Sequence, residues 1–320
     1  MKYEKRISLK TIAYELGISV NTVSRALRDC ADISEATKQK VRKVAIELGY
    51  LPNSLVYSIN NGKTKSVALV INNVRNYYFS IINDKLLYYL RAEGYLANII
   101  CLYGNDFDAA VVKECLYQRV DTIITFVEPT KEALELVSMN HLPLIVCGRK
   151  VSKKHCDSLY TDDIKGGALA ADYLLRKGAR NFVYVAVRGS ECSVRRFEGF
   201  KRRLAAIDPS YSVKKINIED FDGRIDEICH TLNLGIFAYN DEHLYIIFDK
   251  LRQRHVDPSC FRCIGYDGIS RHISGTIKIP SIASDYDAMA RECVKLVKWE
   301  RDDDAKHQSK CFDVHLEDEI

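Results

Sequence analysis

Asn21, Arg25 and Arg28 stand at spacings of four and three within "SVNTVSRALR", residues 19–28. On a helix that advances about 100° per residue they share one face, while Val23, Ala26 and Leu27 cover the opposite one. An Arg fork matches the paired acceptors of guanine and an Asn amide the acceptor and donor of adenine, so such an edge suits base edges in a major groove. The same residues serve as well to solvate a helix face. The flanking elements decide between the two uses.

Ser8 precedes Leu9, Ile12, Ala13 and Leu16, an i, i+3, i+4, i+7 stripe that stops at Gly17, so the first helix has a cap, an apolar face and an end. Ser19 caps the second helix. Ser34 caps a third, whose Val41, Val44, Ala45 and Leu48 repeat the stripe before Gly49. Residues 1–52, closed by Pro52, are therefore expected to form a three-helix helix-turn-helix unit whose second helix carries the donor-rich face. Residues 1–65 hold 12 Lys and Arg against 6 Asp and Glu, while the remainder holds 35 against 37. The positive excess sits entirely in the segment that would meet a polyanion. Residues 53–65, "NSLVYSINNGKTK", read as a hinge and linker; a helix of about eight residues there is shorter than the roughly 12–15 that hold alone in water, so it orders only against a partner.

From Ser66 the pattern alternates. Apolar strands ("SVALVI", "LANIIC", "DTIITFV", "PLIVCG", then "FVYVAV", "GIFAYN", "CIGYDG", "SIASD") alternate with amphipathic helices, one of them over 79–92. This is the signature of parallel sheets covered on both faces, with too many strands for one sheet. The fold class is α/β: residues 66–320 form two doubly wound lobes with a cleft at the carboxyl ends of their strands. No run of 18 apolar residues and no signal peptide is present, and the eleven cysteines, an odd number scattered from Cys30 to Cys311, lack the spacing of a secreted scaffold. A cytoplasmic setting follows. Cys260 and Cys263 read as core residues of a buried strand. No nucleophile–base arrangement, phosphate loop or metal spacing occurs, so an enzyme, a cofactor and a metal are not expected.

Across nearly its whole length the chain resembles the lactose-repressor (LacI/GalR) family of bacterial transcription regulators. "SLKTIAYELGISVNTVSRAL" is similar to its helix-turn-helix and "ELGYLPNSLVYSI" to its third helix and hinge; "GKTKSVALVI", "QRVDTII", "RFEGF", "NDEHL" and "IGYDGIS" follow in family order. The resemblance implies a homodimeric repressor on a pseudo-palindromic double-stranded DNA operator, with a periplasmic-binding-protein-like core that senses a small molecule, a carbohydrate. It implies that Val20, Asn21 and Arg25 read bases, that Thr22 contacts a phosphate, and that Ile59 wedges into the minor groove at the operator centre. Packing between paired hinges is the alternative use of Ile59, and Tyr57 replaces a frequent Arg.

In the cleft, Tyr78 and Phe79 match the family's aromatic pair, Arg196 the Arg that grips the effector, and Asn240 and Asp267 follow strands at the lobe edges; Asp162 is a further candidate. An Arg, an Asn and an Asp together suit hydroxyl-rich or carboxylate ligands. Asn240 serves equally as the cap of the helix that follows it. Gly148 and Ser284 stand where many sugar-responsive members carry Asp and Gln, which opens the ligand to a different sugar, an acidic or phosphorylated one, or a non-sugar. Two rival readings differ in kind: a solute-binding protein without a regulatory role, and a DNA-binding regulator whose core answers to a protein partner.

Overall fold

The computed structural model describes residues 7–50, 63–151, 156–273, 277–299 and 307–318, in two units, Met1–Thr64 and Lys65–Ile320. The hinge helix and Ile59 lie outside the described residues. In the first unit α1 (Leu9–Leu16), α2 (Val20–Leu27) and α3 (Glu35–Glu47) each begin at a serine whose hydroxyl accepts a backbone N–H three residues on. The side chain stands in for the missing carbonyl of the preceding turn. Gly17, at φ 65°, ends α1 in the left-handed region and turns the chain into α2. Ile12, Ala13, Val23, Ala26, Val41 and Ala45 form the core.

The second unit contains two six-stranded sheets. In the first lobe β1 (Ser66–Ile71), β2 (Leu96–Cys101), β3 (Thr122–Thr125), β4 (Leu144–Cys147) and β5 (Asp157–Thr161) alternate with α4 (Tyr77–Ala92), α5 (Ala109–Tyr117) and α6 (Lys131–Met139). In the second, β6 (Asn181–Ala186), β7 (Val213–Asn217), β8 (Leu234–Ala238), β9 (Arg262–Tyr266) and β10 (Ser281–Ser284) alternate with α7 (Asp163–Arg176), α8 (Glu191–Ile207), α9 (Ile225–Cys229) and α10 (Asp241–Gln253). After α11 (Tyr286–Lys298) come β11 (Ser309–Phe312) and β12 (Val314–Glu317). The strand orders β11-β5-β4-β3-β1-β2 and β12-β10-β9-β8-β6-β7 are parallel throughout except for antiparallel β12. Each sheet reverses its winding beside its first strand, which opens a crevice at the carboxyl ends. No described helix is long and apolar enough to cross a membrane.

Four details depart from the sequence reading. Asn76 caps α4, which starts at Tyr77 rather than Phe79, because the Asn side chain captures the Tyr78 N–H at 2.9 Å. β5, β7, β11 and β12 were not anticipated; β7 and β11 are edge strands whose largely exposed residues lack a buried apolar run. α11 follows the second lobe in sequence but packs into the core of the first, through Tyr286, Met289, Ala290 and Cys293. The chain therefore passes between lobes at Asp162, Asp285 and Asp313. Of the CxxC pair, Cys263 is buried in β9 but Cys260 is exposed on a short 3-10 turn. Among the described residues no cluster of His, Cys, Asp and Glu could hold a metal ion.

Candidate functional site

Val20 and Asn21 are exposed at the first turn of α2. Thr22 is held at the cap, its N–H donating to Ser19 Oγ at 3.0 Å and its hydroxyl 2.8 Å from the same oxygen. Arg25 is half-buried and pairs through Nη2 with Asp32 at 2.7 Å. Its Nε has no hydrogen-bond partner among the described residues. The hydrogen bond from Arg25 holds the Asp32 carboxyl below its usual range. Arg28 is exposed but turns back to donate to the Ser24 carbonyl at 3.2 Å. The edge is thus donor-rich, with one of its forks already engaged by an exposed carboxylate. A surface pair of this kind is weak and exchanges readily for another partner.

The second lobe's wall of the cleft is built around Arg196 on α8, only 6% exposed. Its Nε donates to Asp163 Oδ1 at 2.8 Å, its Nη1 to the Tyr239 carbonyl at 2.6 Å, and Nη2 lies 3.8 Å from Asp267 Oδ1. The guanidinium lies over the Tyr266 ring, 3.4 Å from its centroid, and 4.8 Å from that of Tyr239. Burial acts to lower its pKa, and Asp163, Tyr266, Asp267 and Tyr239 together outweigh this and raise it well above the ordinary value. The pair depends on a close crossing of α7 and α8: a Cβ on Gly167 would lie 2.1 Å from the Arg196 carbonyl oxygen, and one on Gly199 2.0 Å from that of Ile164. Glycine at both positions lets Asp163, the first residue of α7, reach Arg196.

Asp267 directly follows β9 with φ 97° and is nearly fully buried. Burial pushes its carboxyl up to about 6, opposed by Arg196. Asn240 is buried, and its Oδ1 accepts the His243 N–H at 2.9 Å, capping α10. Asp162 caps α7 through the Lys165 N–H at 3.0 Å, which makes it a crossover residue, and its neighbour Asp163 supplies the buried carboxylate.

The first lobe's wall is aromatic. Tyr78 lies 5.5 Å from Phe79, 6.2 Å from Phe126 and 5.5 Å from Tyr286, all edge-on. Burial raises its phenol well above the ordinary value, and the charge of Asp267 adds to this across the cleft. Its hydroxyl lies 3.3 Å from where a Cβ on Gly148 would stand, filling space a larger residue would need. Ser284 is spent internally, its hydroxyl donating to the Asp313 carbonyl at 2.9 Å. The lobes touch directly: Cys192 Sγ is 3.4 Å from the Gly148 carbonyl oxygen, and Tyr286 Oη donates to the Asp267 carbonyl at 3.0 Å.

The structure thus brings together Tyr78, Phe79, Arg196, Asn240 and Asp267, and shows Asp162 capping α7 at the crossover between lobes. Sequence reasoning missed Asp163, Tyr239, Tyr266 and Tyr286. Tyr239 and Tyr266 each directly precede a residue that it did select, and their position at strand ends is the signal that could have found them.

Residues 8–53 match the family described as "Bacterial regulatory proteins, lacI family". The chain is 22% identical over 323 residues to the HTH-type transcriptional repressor PurR of Vibrio atlanticus, covering 97% of this chain and 96% of that one. Among solved structures it is similar to the lac repressor dimer bound to operator and the anti-inducer ONPF, with TM-score 0.80 and 15% identity over 98% of both chains. It is also similar to a LacI family transcriptional regulator from Enterococcus faecium with bound ribose, with TM-score 0.68 and 21% identity over 79% of this chain and 97% of that one. These relatives are regulators rather than enzymes. This chain thus carries the lacI-family signature over residues 8–53, is similar along nearly its full length to a transcriptional repressor, and shares its fold with the lac repressor.

Proposed function

We propose that this chain is a cytoplasmic, homodimeric repressor that binds a pseudo-palindromic operator and is controlled by a small-molecule effector, a carbohydrate, between its core lobes. Val20, Asn21 and Arg25 read base edges, Thr22 contacts a phosphate, and Ile59 enters the minor groove. Tyr78 and Phe79 cover an apolar face of the effector, while Asp267, Arg196 and Asn240 give direction. The observation that carries the reading is the Ser19-capped α2, which leaves Val20 and Asn21 open and Arg25 at their edge within the segment matching the family. Effector binding changes operator affinity only by its differential affinity for the two lobe arrangements.

The test uses DNA selected by the protein from a random pool, with a scrambled duplex beside it. Arg25→Ala should cost about 1–3 kcal/mol per half-site on the selected sequence and relax one base pair, with little loss on the scramble. Equal losses on both sink the base-reading role.

A second reading draws support from the cleft itself. Arg196 is largely satisfied by protein groups and the lobes are already in contact, an arrangement suited to a core that answers to a protein on its surface. Calorimetric titration with a carbohydrate panel separates the two: saturable binding lost in Asp267→Ala favours the effector, and no binding by any member favours the partner.

A further inference from the structure

Asp267 adopts φ 97°, a conformation that costs a non-glycine residue energy and persists only when its surroundings over-determine it. The turn that carries it is gripped from two sides. From the second lobe, the Asp267 N–H donates to the Ile282 carbonyl at 2.7 Å and the Gly268 N–H to Ser281 Oγ at 2.9 Å. The Ile269 N–H donates to Asp241 Oδ2 at 2.7 Å, and the Ser281 hydroxyl donates to Asp241 Oδ1 at 2.7 Å. Asp241 is fully buried, and a Cβ on Gly265 would lie 2.0 Å from its Oδ1, so space for this carboxyl group is kept at the expense of a side chain on β9. Among the described residues, one bond comes from the first lobe. Tyr286, packed in that lobe's core and edge-on to Tyr78, donates its hydroxyl to the Asp267 carbonyl.

We propose that Asp241 and Tyr286 are positioning residues of the cleft, which hold the Asp267 turn from opposite lobes and so fix the distance between the aromatic wall and the carboxylate that face an effector. Neither touches the effector in this arrangement. Asp241 braces the strained turn against relaxing within its own lobe, and Tyr286 ties it to Tyr78 through a single rigid ring. Separating the lobes breaks the Tyr286 bond and leaves the turn held from one side only, so lobe separation and mobility of the turn are coupled. The proposal rests on the effector reading of the cleft, but its test needs no effector.

The experiment is amide hydrogen exchange on the full-length protein, read at Gly268 and Ile269 with amides of β1 and β8 as internal controls. Tyr286→Phe keeps the ring and removes one hydrogen bond. It should speed exchange at the turn about five-fold, the size of one net hydrogen bond, and leave the controls unchanged. Asp241→Ala should speed it at least as much. Asp241→Asn should restore most of the protection, because its amide oxygen still accepts from Ile269 and its amide nitrogen donates to Ser281. An unchanged turn in Tyr286→Phe, uniform acceleration in both sheets, or an Asn variant no better than Ala each overturns the proposal. Should the Ala variant fail to fold, the other two carry the test. A carbohydrate panel that fails to bind leaves these exchange rates as they are, so the two readings fail separately.

Discussion

Asp267 has a carboxyl group pushed up to about 6 by burial; Arg196 opposes the shift, Asp163 and Glu242 add to it, and a hydrogen bond with Asn240 opposes it. In an unfolded chain an Asp titrates near 4. Between about 4 and 6 the folded protein therefore holds a proton that the unfolded chain has lost. The contribution to stability is present in full below the unfolded value and is lost as pH rises through 6; a shift of this size corresponds to about 3 kcal/mol as an order of magnitude. Urea unfolding of the core should show its midpoint falling from pH 4.5 to 7, and Asp267→Asn should flatten that slope relative to the parent. Equal slopes in the two proteins would remove Asp267 as the titrating group. The sequence pointed to this residue through "IGYDG", but not to its ionisation, because burial and three neighbouring charged groups come from helices and loops far apart in the chain. For Arg25 the outcome is mixed. Its place on α2 was legible from spacing, whereas its pairing with Asp32 depends on how the loop after α2 folds back.

At the scale of elements, serine caps and apolar stripes marked α1, α2 and α3 correctly, since those signals are local and act within one turn. The crossing of α7 and α8 was invisible, because a glycine's meaning there lies in the backbone it meets. Gly167→Ala sets a Cβ against the Arg196 carbonyl oxygen and pushes apart the two helices that join Asp163 to Arg196. It should destabilise the core by about 3 kcal/mol or more, since backbone cannot yield as a side-chain tip does. Gly223 meets nothing within 4 Å of a built Cβ, so Gly223→Ala is the matched control and should stay within about 0.5 kcal/mol. Thermal unfolding of both variants checks this; similar losses would mean that the crossing has slack. The edge strands β7 and β11 escaped notice for a related reason: they are polar and short, and only pairing with a neighbour makes them strands.

At the scale of the molecule, the lobes are joined by three adjacent crossings whose residues hold one another. The Asp162 N–H donates to the Phe312 carbonyl, Ser284 Oγ to the Asp313 carbonyl, and Lys165 pairs with Asp313. Arg196→Ala and Asp267→Ala remove contacts in the cleft and leave α2 untouched, so both should abolish the response of a reporter gene to the effector while operator binding without effector survives. Permanent repression marks an inducer and permanent expression a corepressor; a normal response in both variants assigns the signal to a protein partner instead. The sequence by itself determined the helix-turn-helix, the alternation of strands and helices and the division into two sheets, because periodicity, caps and strand ends are short-range facts. Only the tertiary structure decided that α11 belongs to the first lobe, that Asp163 rather than Asp162 faces Arg196, and that Tyr286 joins the two walls. The first and last depend on a segment that crosses between lobes, and Asp163 meets Arg196 across two helices 33 positions apart; a contact between residues that far apart leaves no periodic mark in either segment.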